Sequence, residues 1–258
     1  MSTIDYVVGY FVRFFQDPSA REIGLAIAFG AVWLACYRPP LFKKPWLWAV
    51  LVSSAFLTLV AVCFIQRPLN FWIIGARCHE VLNHLIIWAG RPLLGGLIQE
   101  GSKMVPVVVY WRRSGKNIDP KLGLAIGAAA GAGFGILQAQ LSWIGWDATR
   151  AWRFFRFETI YGFWHTFFSV AAQIAFSALA GYGLVRGRGW QFYLIASALH
   201  GLLNLAQLLF PDLLAWWPPS SLGACVYTAV LATLVTAWAL WLRWRKRAAT
   251  ADPAISSP

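Results

Sequence analysis

Acidic residues are scarce in this sequence: 10 Asp and Glu stand against 22 Lys and Arg in 258 residues, and charged residues of all kinds make up only 12%. Hydrophobic residues make up 59%, and the mean hydropathy is +0.58. A soluble domain of this length has too little interior to hide that much apolar surface, which excludes a soluble globular class. Cysteine is also sparse. Cys36, Cys63, Cys78 and Cys225 show no Cys-x-x-Cys spacing, and three of them lie in or beside apolar runs. Neither a disulfide framework nor a cysteine metal site is supported. The N-terminus lacks the positive region of a signal peptide, since its first charge is Asp5. The net charge of +12 falls in short clusters between apolar runs rather than on one basic face, which argues against nucleic acid and for membrane-flanking loops.

The apolar runs are long enough to cross a bilayer, for which a helix needs about 20 residues. Ser19-Ala-Arg-Glu22 is a capping-box pattern that opens the first span, 20–37, which stops before Pro39-Pro40. Further spans read as 45–65, 92–111, 121–145, 157–185, 190–210 and 222–243. The expectation is an all-α polytopic membrane protein, one integral domain over 1–258 with a bundle of about seven transmembrane helices. Residues 1–18 read as an interfacial segment, 92–210 as the core helices and 244–258 as a cytoplasmic tail. The segment 71–90 is apolar at both ends but carries Arg77, His79, Glu80, Asn83 and His84, and reads as interfacial or re-entrant.

With seven spans the loops alternate sides. One set holds 13 basic residues, at 38–44, 112–121, 186–188 and 243–247, and the other holds 7. The positive-inside rule puts the larger set in the cytoplasm, hence the N-terminus outside and the C-terminus inside. Counting 71–90 as an eighth span would move the basic 38–44 loop outside.

Orientation allows polar residues to be placed by depth, at about 1.5 Å per residue. Glu100 and His165 both come out roughly 12 Å from the outer face, Gln138 roughly 10 Å and His200 roughly 15 Å. Glu100 and Lys103 share a helix face, as do His200 and Asn204. Gly123, Gly127, Gly131 and Gly135 form a ridge at four-residue steps, most simply a packing surface. His79-Glu80 with His84 resembles a zincin motif only superficially, because a spacing of five puts the histidines about 140° apart on a helix. Glu100 with Lys103 could be a structural ion pair, and Asn204 and Gln138 ordinary interhelical glue. An acid and two histidines at one depth nevertheless suggest chemistry, since ionisable groups inside a membrane tend to be functional.

"QEGSK" at 99–103, "GAGFGILQAQ" at 131–140, "HTFFS" at 165–169 and "HGLLN" at 200–204 together resemble the PrsW-like branch of the CAAX-protease superfamily of intramembrane proteases. The resemblance spans roughly 92–210. It implies an intramembrane endopeptidase, with Glu100, His165, His200 and Asn204 in the proteolytic centre and Gln99, Lys103, Gln138 and Ser169 in support. It departs at Gln99, where the family has the first acid of a pair, and at Gln138, where an acid or histidine is often found. The implied substrate is a membrane-anchored protein, and the implied location a bacterial plasma membrane.

Peptide hydrolysis needs an activated water, a proton acceptor and oxyanion donors. Glu100 is the expected base, His165 the residue holding the water or protonating the leaving amine, and His200 with Asn204 the oxyanion donors. A zinc version would use Glu100, His165 and His200 as ligands. The sequence does not choose between the two. The competing readings are a non-catalytic scaffold or pseudoprotease of the same superfamily, and a transporter with a buried proton relay, for which no internal repeat is evident.

Overall fold

The computed structural model describes residues 12, 20–75, 86–143, 157–213 and 220–245, and every element among them is helical. The expected interfacial segment 1–18, the His79-Glu80 and His84 positions and most of the tail beyond 244 lie outside the described residues.

Helix α1 spans Ala20–Tyr37 and ends where Arg38 takes a left-handed turn (φ 44°) ahead of Pro39-Pro40. Helix α2, Trp46–Ala61, does not stop near 65 as the sequence suggested. It runs through a π-helical turn, Val62–Gln66, into α3, Arg67–Gly75. The wider π turn accommodates Pro68, which supplies no N–H, at the second position of α3. Residues 71–75 of the segment expected to be interfacial therefore extend an apolar helical run, Trp46–Ile73.

A second π turn, Ile86–Gly90, leads into α4, Arg91–Arg113, which carries Pro92 in its first turn and Pro106 inside. Asp119 accepts the Lys121 N–H at 2.7 Å and so caps α5, Pro120–Trp143, with Pro120 at the first helical position. Helix α6, Phe157–Val185, passes through a left-handed Gly187 (φ 74°) into α7, Gly189–Leu213, and α8 covers Ser220–Trp244.

Helices α5 and α6 form the antiparallel centre. Residues 123–135 of α5 and 169–181 of α6 are buried throughout. The glycine ridge makes this possible: a Cβ on Gly127 would run into the Ser177 carbonyl oxygen, and one on Gly131 into that of Gln173. Helix α2 packs on the other side of α5, where Gly133 lies against the Leu51 carbonyl and Ser54 donates to the Ala130 carbonyl oxygen at 2.8 Å. Helices α4, α7 and α8 surround α6, and α4 meets α7 closely because Gly96 lies on the Ser197 carbonyl.

Polarity is inverted relative to a soluble bundle. Val52, Phe56, Phe64, Ile65, Trp72 and Leu234 are among the large apolar side chains left at least half exposed, while Glu100, Lys103, Gln173 and His200 are fully buried. Among the described residues, four helical runs are long and apolar enough to cross a membrane: Trp46–Ile73, Pro120–Gln140, Gly162–Val185 and Leu222–Trp244. A shorter apolar stretch, Glu22–Tyr37, lies in α1.

The ends of the helices sort by charge. Trp46 stacks on Tyr110 with ring centroids 3.7 Å apart, Gly123 abuts Val185, and an Arg243 nitrogen donates to the Arg38 carbonyl oxygen at 3.3 Å. These contacts bring the 38–45, 114–119 and 186–188 connections and the C-terminus of α8 to one end. All of the larger basic set except Lys246 and Arg247, which are not described, gathers there.

Candidate functional site

Four helices contribute to one hydrogen-bonded network, a fully buried ring from three of them with the partly exposed Gln138 attached from the fourth. The Lys103 ammonium pairs with Glu100 Oε1 one turn away on α4. It also donates to Gln173 Oε1 on α6 at 2.7 Å and faces the Phe134 ring at 5.7 Å. Gln173 Nε2 donates to Gln138 Oε1 on α5 at 2.7 Å and lies 3.2 Å from His200 Nε2 on α7. His200 Nδ1 closes the ring on Glu100 Oε1 at 2.7 Å, and Ser177 donates to Glu100 Oε2 at 3.1 Å.

Donor and acceptor capacities fix the protons in this ring. An ammonium only donates, so the Gln173 atom facing Lys103 is the oxygen and the one facing His200 is the nitrogen. Gln173 then donates to His200 Nε2, which must hold a lone pair. The imidazole is neutral, with its proton on Nδ1 directed at the Glu100 carboxylate. An ionised acid, a protonated amine and a neutral imidazole sum to zero charge, the one balance a fully buried cluster tolerates at modest cost.

Glu100, Lys103, Gln138 and His200, all singled out in the sequence, are brought together here. His165 is not. It is two turns from Gln173 on α6, about 12 Å along the axis, and joins no described hydrogen bond. The depth estimate failed because α6 is offset along its axis relative to α4 and α7, so that Gln173, two turns beyond His165, meets Glu100 and His200. Ser169 is buried one turn from Gln173 but is outside the ring.

Gln99 and Asn204 also point elsewhere. Successive helical residues are about 100° apart, so Gln99 cannot share the face of Glu100. Gln99 Nε2 donates to Gln66 Oε1, at the end of the π turn after α2, at 2.9 Å, and its buried Oε1 has no partner. Asn204 lies beside this amide pair, both flanking Gly95. Position 99 thus belongs to a separate group of carboxamides.

The expected zinc ligands do not fit. Glu100, His165 and His200 do not gather, no group of three His, Cys, Asp or Glu suited to a metal occurs among the described residues, and both Glu100 oxygens are already engaged.

Gln173, Ser177 and Gln66 were not anticipated. A signal for the first two was present: His165, Ser169, Gln173 and Ser177 recur at four-residue steps in a mainly apolar helix, a polar stripe along α6.

Comparison with protein-family models, with curated proteins and with solved structures finds no match for this chain.

Proposed function

We propose that the chain is a seven-span membrane protein, oriented with its basic end in the cytoplasm, and that it hydrolyses peptide bonds of membrane-anchored proteins at His200 and Glu100. The observation that carries this reading is the 2.7 Å contact between His200 Nδ1 and Glu100 Oε1, two fully buried groups one hundred residues apart in sequence. A carboxylate on Nδ1 fixes the tautomer and leaves Nε2 as the proton acceptor, the arrangement that general-base histidines use. The four-motif resemblance to PrsW-like proteases supports the same reaction class.

The roles differ from those expected of the sequence. With both its oxygens engaged, Glu100 holds the imidazole and would stabilise the imidazolium rather than take the proton itself. A water admitted in place of the Gln173 amide would give its proton to His200 Nε2 as its oxygen attacks the peptide carbonyl. The Gln138 and Gln173 amides would donate to the tetrahedral oxyanion. His200 would then return the proton to the leaving amine, restoring the neutral ring. Access requires the bundle to open on the side of the partly exposed Gln138 while the α4–α7 contact between Glu100 and His200 is kept, because Glu100, Lys103, Gln173 and His200 are fully buried.

That burial favours a second reading, a non-catalytic scaffold in which the hydrogen-bonded network locks four helices together. Purified protein in detergent, offered a panel of single-span peptides, separates the two. Cleavage by the parent that is lost in Glu100→Gln and His200→Ala selects the protease. Absence of cleavage, with both variants merely melting earlier, selects the scaffold.

A further inference from the structure

We infer that the basic end of the bundle, where α1 meets α8, binds the phosphate of an anionic phospholipid through Arg38 and Arg243. This inference is independent of proteolysis.

The two guanidiniums are drawn together although no acid among the described residues holds them. Arg38 Cζ lies 5.1 Å and Arg243 Cζ 5.7 Å from the centroid of the same Trp244 ring, and Arg243 donates to the Arg38 carbonyl oxygen. Neither has a carboxylate partner among the described residues. A guanidinium carries five N–H donors, and most of these find no acceptor among the described residues: Arg243 Nε is buried without a partner. The backbone also works against its own preference to build this corner. Arg38 is held at φ 44°, a left-handed conformation that glycine adopts without strain and arginine does not. Strain of this kind persists where surrounding structure demands a particular side chain.

Two cations beside one indole ring, with forked donors that no described acceptor takes up, suit a phosphate oxyanion. Free phosphate and a lipid headgroup share that chemistry, and the surroundings favour the lipid. Trp244 and Trp241 are each more than half exposed beside the arginines, as aromatic side chains are at a membrane interface. Below them, exposed Leu234 and Val230 on α8 and Val32 on α1 offer an apolar wall for acyl chains.

The test is native mass spectrometry of the full-length protein in detergent, titrated with phosphatidylglycerol, phosphatidylcholine or inorganic phosphate. The parent should retain phosphatidylglycerol in preference to phosphatidylcholine. Arg38→Gln should weaken that binding about tenfold, the effect of losing one charge-assisted contact. It replaces an exposed side chain and keeps the carbonyl that Arg243 uses, so folding is spared. Lys43→Gln removes the same charge from the same loop and should change binding less than about twofold. Equal losses in the two variants would reduce the site to general positive potential and overturn the proposal. Inorganic phosphate competing as well as phosphatidylglycerol would overturn the lipid assignment, and unchanged binding in Arg38→Gln would overturn the site.

Discussion

Each proton in the buried ring has one consistent place, which makes its members interdependent. Glu100→Gln leaves the Lys103 ammonium buried without its counter-charge, and Lys103→Met does the same to the carboxylate. Either should cost about 3–5 kcal/mol, the usual result of breaking a buried pair from one side. Removing both charges together should cost clearly less than the sum, because no uncompensated ion remains. Melting temperatures of the four proteins in one detergent check this, and additive losses would show that the two groups do not depend on each other. Gln173→Leu should be comparably damaging, since Gln173 serves Lys103, Gln138 and His200 at once. Ser177→Ala removes one hydrogen bond and should cost only about 1 kcal/mol. The contrast also explains what was readable beforehand. Glu100, Lys103 and His200 are conspicuous because charge is rare in an apolar helix. Gln173 is not, and only the axial offset of α6 against α4 and α7 decides that it, rather than His165, meets them. An offset of two helical turns follows from side-chain packing between helices, which spacing within one helix does not encode.

Between helices, glycine sets the distances on which the ring depends. The ridge at 123, 127, 131 and 135 was legible as a packing face from its four-residue period, and α6 does lie on it. Gly133 falls off that ridge, and its role against Leu51 emerged only once α2 was seen on the opposite side of α5. The continuation of α2 was equally hidden: Gln66-Arg67-Pro68 looks like a stop, and a π turn absorbs it. Gly131→Val should force α5 away from α6 at Gln173 itself, costing about 1–3 kcal/mol or more through overpacking. Gly24→Ala meets nothing within 4 Å and should leave stability unchanged or raise it by up to about 1 kcal/mol, the helix-propensity gain. Both are read from thermal unfolding in detergent. A tolerated valine at 131 would mean that the helices approach less closely than the backbone contacts require.

At the scale of the whole molecule, two independent features coincide. Counting loop charges in the sequence separated 13 basic residues from 7 on the assumption of seven alternating spans. The helix packing, which is independent of the loop charges, brings the described members of the larger set to a single end, with Asp119 as the one acid among them. The packing is consistent with the alternation that the proposed seven-span topology requires, and the proposed direction, basic end inward, follows from the positive-inside rule. The direction is testable with single cysteines placed at Ser114 and Arg186, in two connections of the basic end, after Cys36, Cys63, Cys78 and Cys225 have been replaced. A membrane-impermeant maleimide should leave both unlabelled on intact cells and label both in inverted vesicles. Labelling of both from outside would invert the molecule. It would also put the Arg38 and Arg243 corner on the outer leaflet, so the orientation and the leaflet from which that corner draws its lipid stand or fall together. Labelling of the two sites from opposite sides would break the alternation itself and with it the seven-span bundle.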